Sequence, residues 1–281
     1  MEYLDLDRGV TSWARLRHRG VTRPELERAL ADGSVRRLRR GWYAIDGAHP
    51  VVVEAVLGDG VCSCLSALRL HGVWVPTDRR THIRARNSAH NRHGARFCHR
   101  HGRPLPETTA VDDVPIALAH AVRCLDAEGT VVVLDSIRNL GLMTSREVET
   151  ALAETPLRVR RLLDRCDQAE SGTESMVRLR LRARRIGVRP QITIPGLGRV
   201  DLLVGSRLII EVDSEEFHLT PEQWEKDHQR DRQAALLGYE RIRLTYRDVV
   251  FGWARVEGQI LDLIRREKHR YPALESHYRA V

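Results

Sequence analysis

Gly198-Arg-Val-Asp201-Leu-Leu-Val-Gly-Ser-Arg-Leu-Ile-Ile-Glu211-Val-Asp213 places three carboxylates on or beside apolar runs. Leu208-Ile209-Ile210 reads as a buried strand, and Glu211 and Asp213 close it. A carboxylate at the end of such a strand is costly unless something compensates it. Residues two apart on a strand share a face, so Glu211 and Asp213 are expected to converge. Asp201 falls on the preceding strand, and neighbouring strands about 4.8 Å apart can bring its side chain to Glu211. Converging carboxylates repel unless a proton or a hard cation joins them. The pattern points to a metal site, with solvent-facing acids paired to arginines as the alternative.

Working outward, the order around this stretch predicts helix 171–186, strands at 191–195, 199–204 and 207–213, helix 221–237, strand 239–244 and a closing helix 254–266. This is an α-β-β-β-α-β core followed by a helix. Glu174 sits in Ser171-Gly-Thr-Glu174 on the first turn of the first helix. The S-x-x-E spacing explains it as a capping box, and a metal role stays open beside that. His218 follows Asp213 in a loop, where a neutral imidazole could take a proton from water or hold a phosphate oxygen. The next helix carries Asp227 and Asp231 one turn apart, flanked by Arg230 and Arg232. Asp227 and Arg230 are expected to support the acids, and Asp231 and Arg232 to form helix ion pairs.

At the other end, Thr22-Arg-Pro-Glu25 is a second capping box and opens a helix through Ala31. A preceding helix carries Trp13 and Leu16, and a basic hairpin spans Val35 to Ile45. Helix, turn, helix and hairpin together predict a winged helix-turn-helix over 1–50. Its second helix would enter the major groove, and Arg36, Arg37, Arg39 and Arg40 would meet phosphates. A solvated charge run on a small structural domain is the alternative. Residues 51–156 read as a connecting α+β module with a basic face. Within it, two strands are expected around a polar turn at 87–94, with Arg84 and Arg86 as further DNA contacts. The nuclease-like domain is assigned to 157–281. The fold class is therefore α+β.

The whole chain has 281 residues with 46 Lys and Arg against 38 Asp and Glu, a net charge of +8. Such a surplus favours anionic partners. Only Lys226 and Lys268 are lysines, so arginine, which forks onto phosphates and guanine edges, carries the basic charge. No run approaches the roughly 18 apolar residues of a membrane span. The opening residues are acidic rather than leader-like, and the five cysteines are odd in number. A reduced, cytoplasmic, nucleoid-associated protein is expected. Cys62-Ser-Cys64 and Cys98-His-Arg-His101 suggest zinc only weakly, because C-x-C is tighter than the usual ligand spacing, and Cys62 and Cys64 are expected to bury as small apolar groups.

Ser171-Gly-Thr-Glu-Ser, Arg199-Val-Asp201, Ile210-Glu-Val-Asp-Ser-Glu-Glu-Phe-His218, Asp227-His-Gln-Arg230 and Gly238-Tyr-Glu-Arg-Ile-Arg-Leu together resemble the DUF559 domain. That domain belongs to the PD-(D/E)XK nuclease superfamily, with a restriction-endonuclease-like core, and is similar to the very-short-patch repair endonucleases. The resemblance implies metal-dependent phosphodiester hydrolysis by Asp201 and Glu211, with Glu174 on the first helix completing the acidic cluster. From the strand pattern, Mg²⁺ or Mn²⁺ is the expected ion and Asp213 a further ligand or the group that orients the water. His218 falls where those repair enzymes carry an active-site His. Asp213 stands where the superfamily often has Lys, and Ser214 where the family usually has Gly. Thr22-Arg-Pro-Glu-Leu-Glu-Arg-Ala-Leu and Arg37-Leu-Arg-Arg-Gly-Trp-Tyr-Ala resemble the AbiEi-type antitoxin winged helix.

Two functions follow as expectations. One is a DNA endonuclease or nickase acting on double-stranded DNA, with homodimerisation left open. The other is a repressor or antitoxin whose nuclease fold is vestigial. The DNA cut, whether mismatched, modified, branched or sequence-specific, is not fixed by the sequence.

Overall fold

The computed structural model describes residues 7–85, 96–213 and 221–270, except for the side chains at 221–224, 226 and 227. Of the expected site residues, Arg86 and His218 lie outside the described residues, as does the side chain of Asp227. The chain is a mixed α+β protein with several small sheets. It divides into two compact units, Met1–Asp164 and Arg165–Val281. Among the described residues, no helix is long and apolar enough to cross a membrane.

The first unit opens with β1 (Val10–Ser12), α1 (Trp13–His18), α2 (Arg23–Ala31), β2 (Val35–Arg39) and β3 (Trp42–Ile45). The α2 capping box forms as its sequence requires, the Thr22 N–H donating to Glu25 Oε2 at 2.7 Å. Leu16, Leu26, Ala29, Val35 and Tyr43 gather into one apolar cluster. The hairpin turns at Gly41, whose φ of +79° favours glycine. A register shift between Arg37 and Arg39 bends its first strand. β1 adds a third strand against β3. Three residues are too short to show a strand period, so the sequence did not reveal it.

α3 (Pro50–Leu57), β4 (Val61–Cys62), α4 (Cys64–Leu70), β5 (His82–Arg84), β6 (Arg96–Phe97), α5 (Val114–Ala121), α6 (Ala127–Asn139), α7 (Ser145–Ala151) and α8 (Leu157–Arg160) complete this unit. The two strands expected around residues 87–94 are present, but β5 and β6 run parallel, with His82 abreast of Arg96 and Ile83 of Phe97. A parallel pair cannot be closed by a tight hairpin turn.

Arg84 corrects the sequence reading. It is buried, not part of a basic face, and forks onto Asp112 through Nε–Oδ2 at 2.7 Å and Nη2–Oδ1 at 2.6 Å. Its remaining donors reach the carbonyls of Leu105 and Pro106. A guanidinium so enclosed ties three segments together and cannot reach DNA. Arg39 is also partly withdrawn. It pairs with Glu107 at 2.9 Å, donates to the Gly60 carbonyl and lies over the Trp42 ring. Arg36, Arg37 and Arg40 are exposed.

The second unit contains α9 (Gly172–Ala183), β7 (Val188–Ile194), β8 (Gly198–Val204), β9 (Leu208–Asp213), α10 (Pro221–Leu236), β10 (Glu240–Thr245), α11 (Tyr246–Val250) and α12 (Trp253–Arg265). Its sheet order is β10-β9-β8-β7. β7, β8 and β9 are antiparallel to their neighbours, and β10 lies parallel to β9 after the α10 crossover. Apolar residues cover both faces of this sheet. Val177, Leu181, Leu202, Leu208, Ile210, Val256 and Ile260 pack together on one side. Ile194, Leu197, Val200, Leu203, Ile209 and Ala234 pack on the other. The short helix α11 was not expected, although Thr245 and Asp248 form a capping box at its start.

Candidate active site

Strand alternation breaks where the first acid sits. Val188, Leu202 and Val204 belong to one apolar cluster, while Ile192, Ile194 and Val200 pack with the other. Residues of one parity therefore change sides between 190 and 192 on β7 and between 200 and 202 on β8. The pairs Pro190–Leu202 and Ile192–Val200 put Gln191 abreast of Asp201 at this break. Gln191 has φ +51°, left-handed backbone that a residue with a side chain adopts at a cost. The local distortion withdraws Asp201 from the regular alternation.

Asp201 Oδ2 accepts the Val212 N–H at 2.9 Å. Burial pushes its carboxyl up to about 6, and repulsion from Glu174, Glu211 and Glu170 adds to this against the opposing Val212 N–H. Glu174 on α9, Glu170 just before it and Glu211 on β9 therefore act on one carboxyl. The β8–β9 ladder, with Leu202 opposite Ile210 and Leu203 opposite Ile209, ends just short of Asp201 and Glu211, which follow it on the two strands.

Glu174 is buried at the start of α9. Its backbone N–H donates to Ser171 Oγ at 3.2 Å, so it does serve the helix start. Its carboxylate also accepts Ser171 Oγ at 2.8 Å, the Glu170 N–H at 3.0 Å and Gln191 Nε2 at 2.7 Å. Burial nevertheless holds its carboxyl above the ordinary range. Gln191 thus links Glu174 to the strand position beside Asp201. Its other amide atom, Oε1, is buried and has no hydrogen-bond partner.

Glu211 is buried and held by two guanidiniums, Arg241 on Oε2 and Arg230 at 3.5 Å from Oε1. Arg241 also pairs with Asp231, and Arg230 donates to the Arg199 carbonyl at 2.7 Å. Asp213 ends β9 in an exposed position. Glu211 and Asp213 therefore lie in different environments, one buried and one exposed at the end of the strand. Among the described residues, these acids do not form a group of three that could hold an ion as they stand.

Two residues here escaped the sequence reading. Gln191 carries no charge to draw attention, and its role depends on the neighbouring strand. Arg241 is one of many arginines, but the alternation Arg241-Ile-Arg243-Leu beside a carboxylate strand was a usable signal. Asp201, Glu174 and the unpartnered Gln191 Oε1 offer hard oxygen donors, the chemistry that Mg²⁺ or Mn²⁺ prefers. Neither protein-family models nor curated proteins yield a match to this chain.

Proposed function

We propose that the second unit is a metal-dependent phosphodiesterase acting on double-stranded DNA, and that the first unit supplies a DNA-binding module. The observation that carries this is the raised carboxyl of Asp201, set among Glu174, Glu211 and an unpartnered Gln191 oxygen. An arrangement that holds carboxylates against their mutual repulsion suits a divalent cation. Asp201, Glu174 and Glu211 would hold it, with Gln191 Oε1 as a neutral donor. When bound, such an ion polarises a phosphate and lowers the pKa of its water.

The chain's own residues account for the rest of the reading. Arg230 and Arg241 neutralise Glu211 and stand where a phosphate oxygen would need donors, the role left open by the Lys that the superfamily has and Asp213 replaces. The order α9-β7-β8-β9-α10-β10 agrees with a restriction-endonuclease-like core, and the N-terminal helices and three-stranded sheet agree with a winged helix. These agreements support the resemblance to DUF559 and AbiEi-type domains. A nucleoid location belongs to the same proposal, with homodimerisation and cleavage of one strand or of both left open.

Supercoiled plasmid incubated with the protein and Mg²⁺ or Mn²⁺ tests the reading. Nicked or linear product that needs the cation supports it, and intact plasmid across mismatched, modified and branched substrates overturns it. The second reading, a repressor with an inactive nuclease fold, has one observation in its favour: the paired arginines already occupy Glu211. Binding that persists in EDTA without any cutting would establish it.

The wing makes a separate prediction. Replacing the exposed Arg36, Arg37 and Arg40 by Ala is expected to weaken DNA binding and to reduce the slope of log K against log salt by about 2 to 3. Titrations at several salt concentrations read this directly. An unchanged slope would remove the hairpin from the DNA interface.

A further inference from the structure

The first unit contains a group of side chains with no part in the site above. We propose that Cys64, His82, Cys98 and Cys124 form a structural zinc site. Their ligand atoms, three thiol sulfurs and one imidazole nitrogen, all lie within 4.8 Å of one another. His82 Nδ1 is 3.2 Å from Cys64 Sγ and 3.3 Å from Cys98 Sγ, and Cys124 Sγ is 3.5 Å from Cys98 Sγ. Zinc bonds of about 2.3 Å to sulfur and 2.0 Å to nitrogen give a tetrahedron with edges of about 3.5 to 3.8 Å. The observed spacings are close to those edges, and they are too short to surround a polynuclear iron–sulfur cluster.

The surroundings also match a metal centre. Cys64, His82 and Cys98 are buried, and Cys124 is partly buried. All four positions of the tetrahedron are protein atoms, which is the closed arrangement of a structural site. The far nitrogen of the imidazole, Nε2, stands 3.2 Å from Asp78 Oδ2, although the pair does not meet hydrogen-bond geometry. A carboxylate behind a ligating histidine fixes its tautomer and orients its ring. Asp78 is held in turn by Arg80 at 2.8 Å, with Arg96 at 3.9 Å. Three thiolates and one zinc ion carry a net charge of −1, and these arginines offset it. Cys64 has φ +52°, a conformation that a non-glycine residue adopts at a cost.

Each ligand comes from a different element. Cys64 opens α4, His82 opens β5, Cys98 follows β6, and Cys124 follows α5. The sequence separations are 18, 16 and 26 residues, so no paired C-x-x-C spacing marks the site. Neither Cys62-Ser-Cys64 nor Cys98-His-Arg-His101 is itself the ligand set: each supplies one member, Cys64 and Cys98, while Cys62 and His101 lie outside the group. A disulfide between Cys98 and Cys124 is the competing chemistry. It would need the sulfurs to close from 3.5 Å to about 2.05 Å, and would leave Cys64 and His82 buried without a common partner.

The proposal does not depend on whether the second unit cuts DNA. Full-length protein expressed with added zinc and purified without chelator should contain about one zinc per chain by plasma mass spectrometry. Replacement by Co²⁺ should give the thiolate charge-transfer band and strong visible bands of a tetrahedral site. Cys98→Ser and Cys124→Ser should lose the metal and melt on the order of 10 °C lower. His82→Cys should keep it, and so should Cys62→Ala and Cys166→Ser. Where a serine variant does not fold, wild-type stoichiometry and the cobalt spectrum decide. Metal below about a tenth of an equivalent, equal metal in Cys98→Ser, a cobalt spectrum without thiolate bands, or a Cys98–Cys124 disulfide in its place overturns the proposal.

Discussion

Asp201→Asn is expected to remove plasmid cutting and, at the same time, to raise the thermal stability of the metal-free protein at pH 8. Loss of a charged ligand should lower the rate at least about a thousandfold, on the order of 4 kcal/mol of barrier. The stability gain has a worked sign. The Asp201 carboxyl titrates at about 6 in the folded protein against 3.8 unexposed to its neighbours. The folded state therefore binds the proton more tightly, and stability falls as pH rises from about 4 to about 6. Above that window the penalty reaches up to about 3 kcal/mol, and a neutral Asn avoids it. Scanning calorimetry in EDTA should show the variant melting about 10 °C higher at pH 8 and little changed at pH 4. A shift of equal size at both pH values, or a lower melting point at pH 8, contradicts the burial of an ionised acid. Added Mg²⁺ should narrow the gap by stabilising the wild type alone.

Arg84→Ala is expected to cost about 3 to 5 kcal/mol, because it strands the fully buried Asp112 carboxylate. Arg37→Ala, at an exposed position of the β2–β3 hairpin, should stay within about 0.5 kcal/mol of wild type. Urea unfolding followed separately for each variant measures both. If Arg84→Ala lost DNA affinity with unchanged stability, the interior position of this residue would be wrong. The contrast also separates buried, structural arginines from exposed ones in a chain where charge alone cannot.

That difficulty defines what the sequence could show. The capping box at Thr22 and the apolar strands of the second unit are local patterns, and they appear where their spacing placed them. The proximity of Asp201 and Glu211 followed from strand adjacency. Arg84 was misread because its partner Asp112 is 28 residues away, so the run of arginines around it looked like a face. Asp213 is exposed at the end of β9 while Glu211 is buried, a difference in burial that a two-residue period does not carry. Gln191 and the Cys/His group depend on contacts between distant elements, which spacing rules do not capture.

The hairpin joining β7 to β8 acts as a length gauge. Ile194 pairs with Gly198 across a turn of three residues, in which Gly196 has φ +80°. Every position beyond is set by that count, including Gln191 beside Asp201. One inserted residue would slide the register and exchange Val200 and Leu202 between the two apolar layers. It would also carry Asp201 away from Gln191 and Glu174. This loop is short and at the surface, where insertions are ordinarily tolerated, yet its length should be among the least free to vary in the chain.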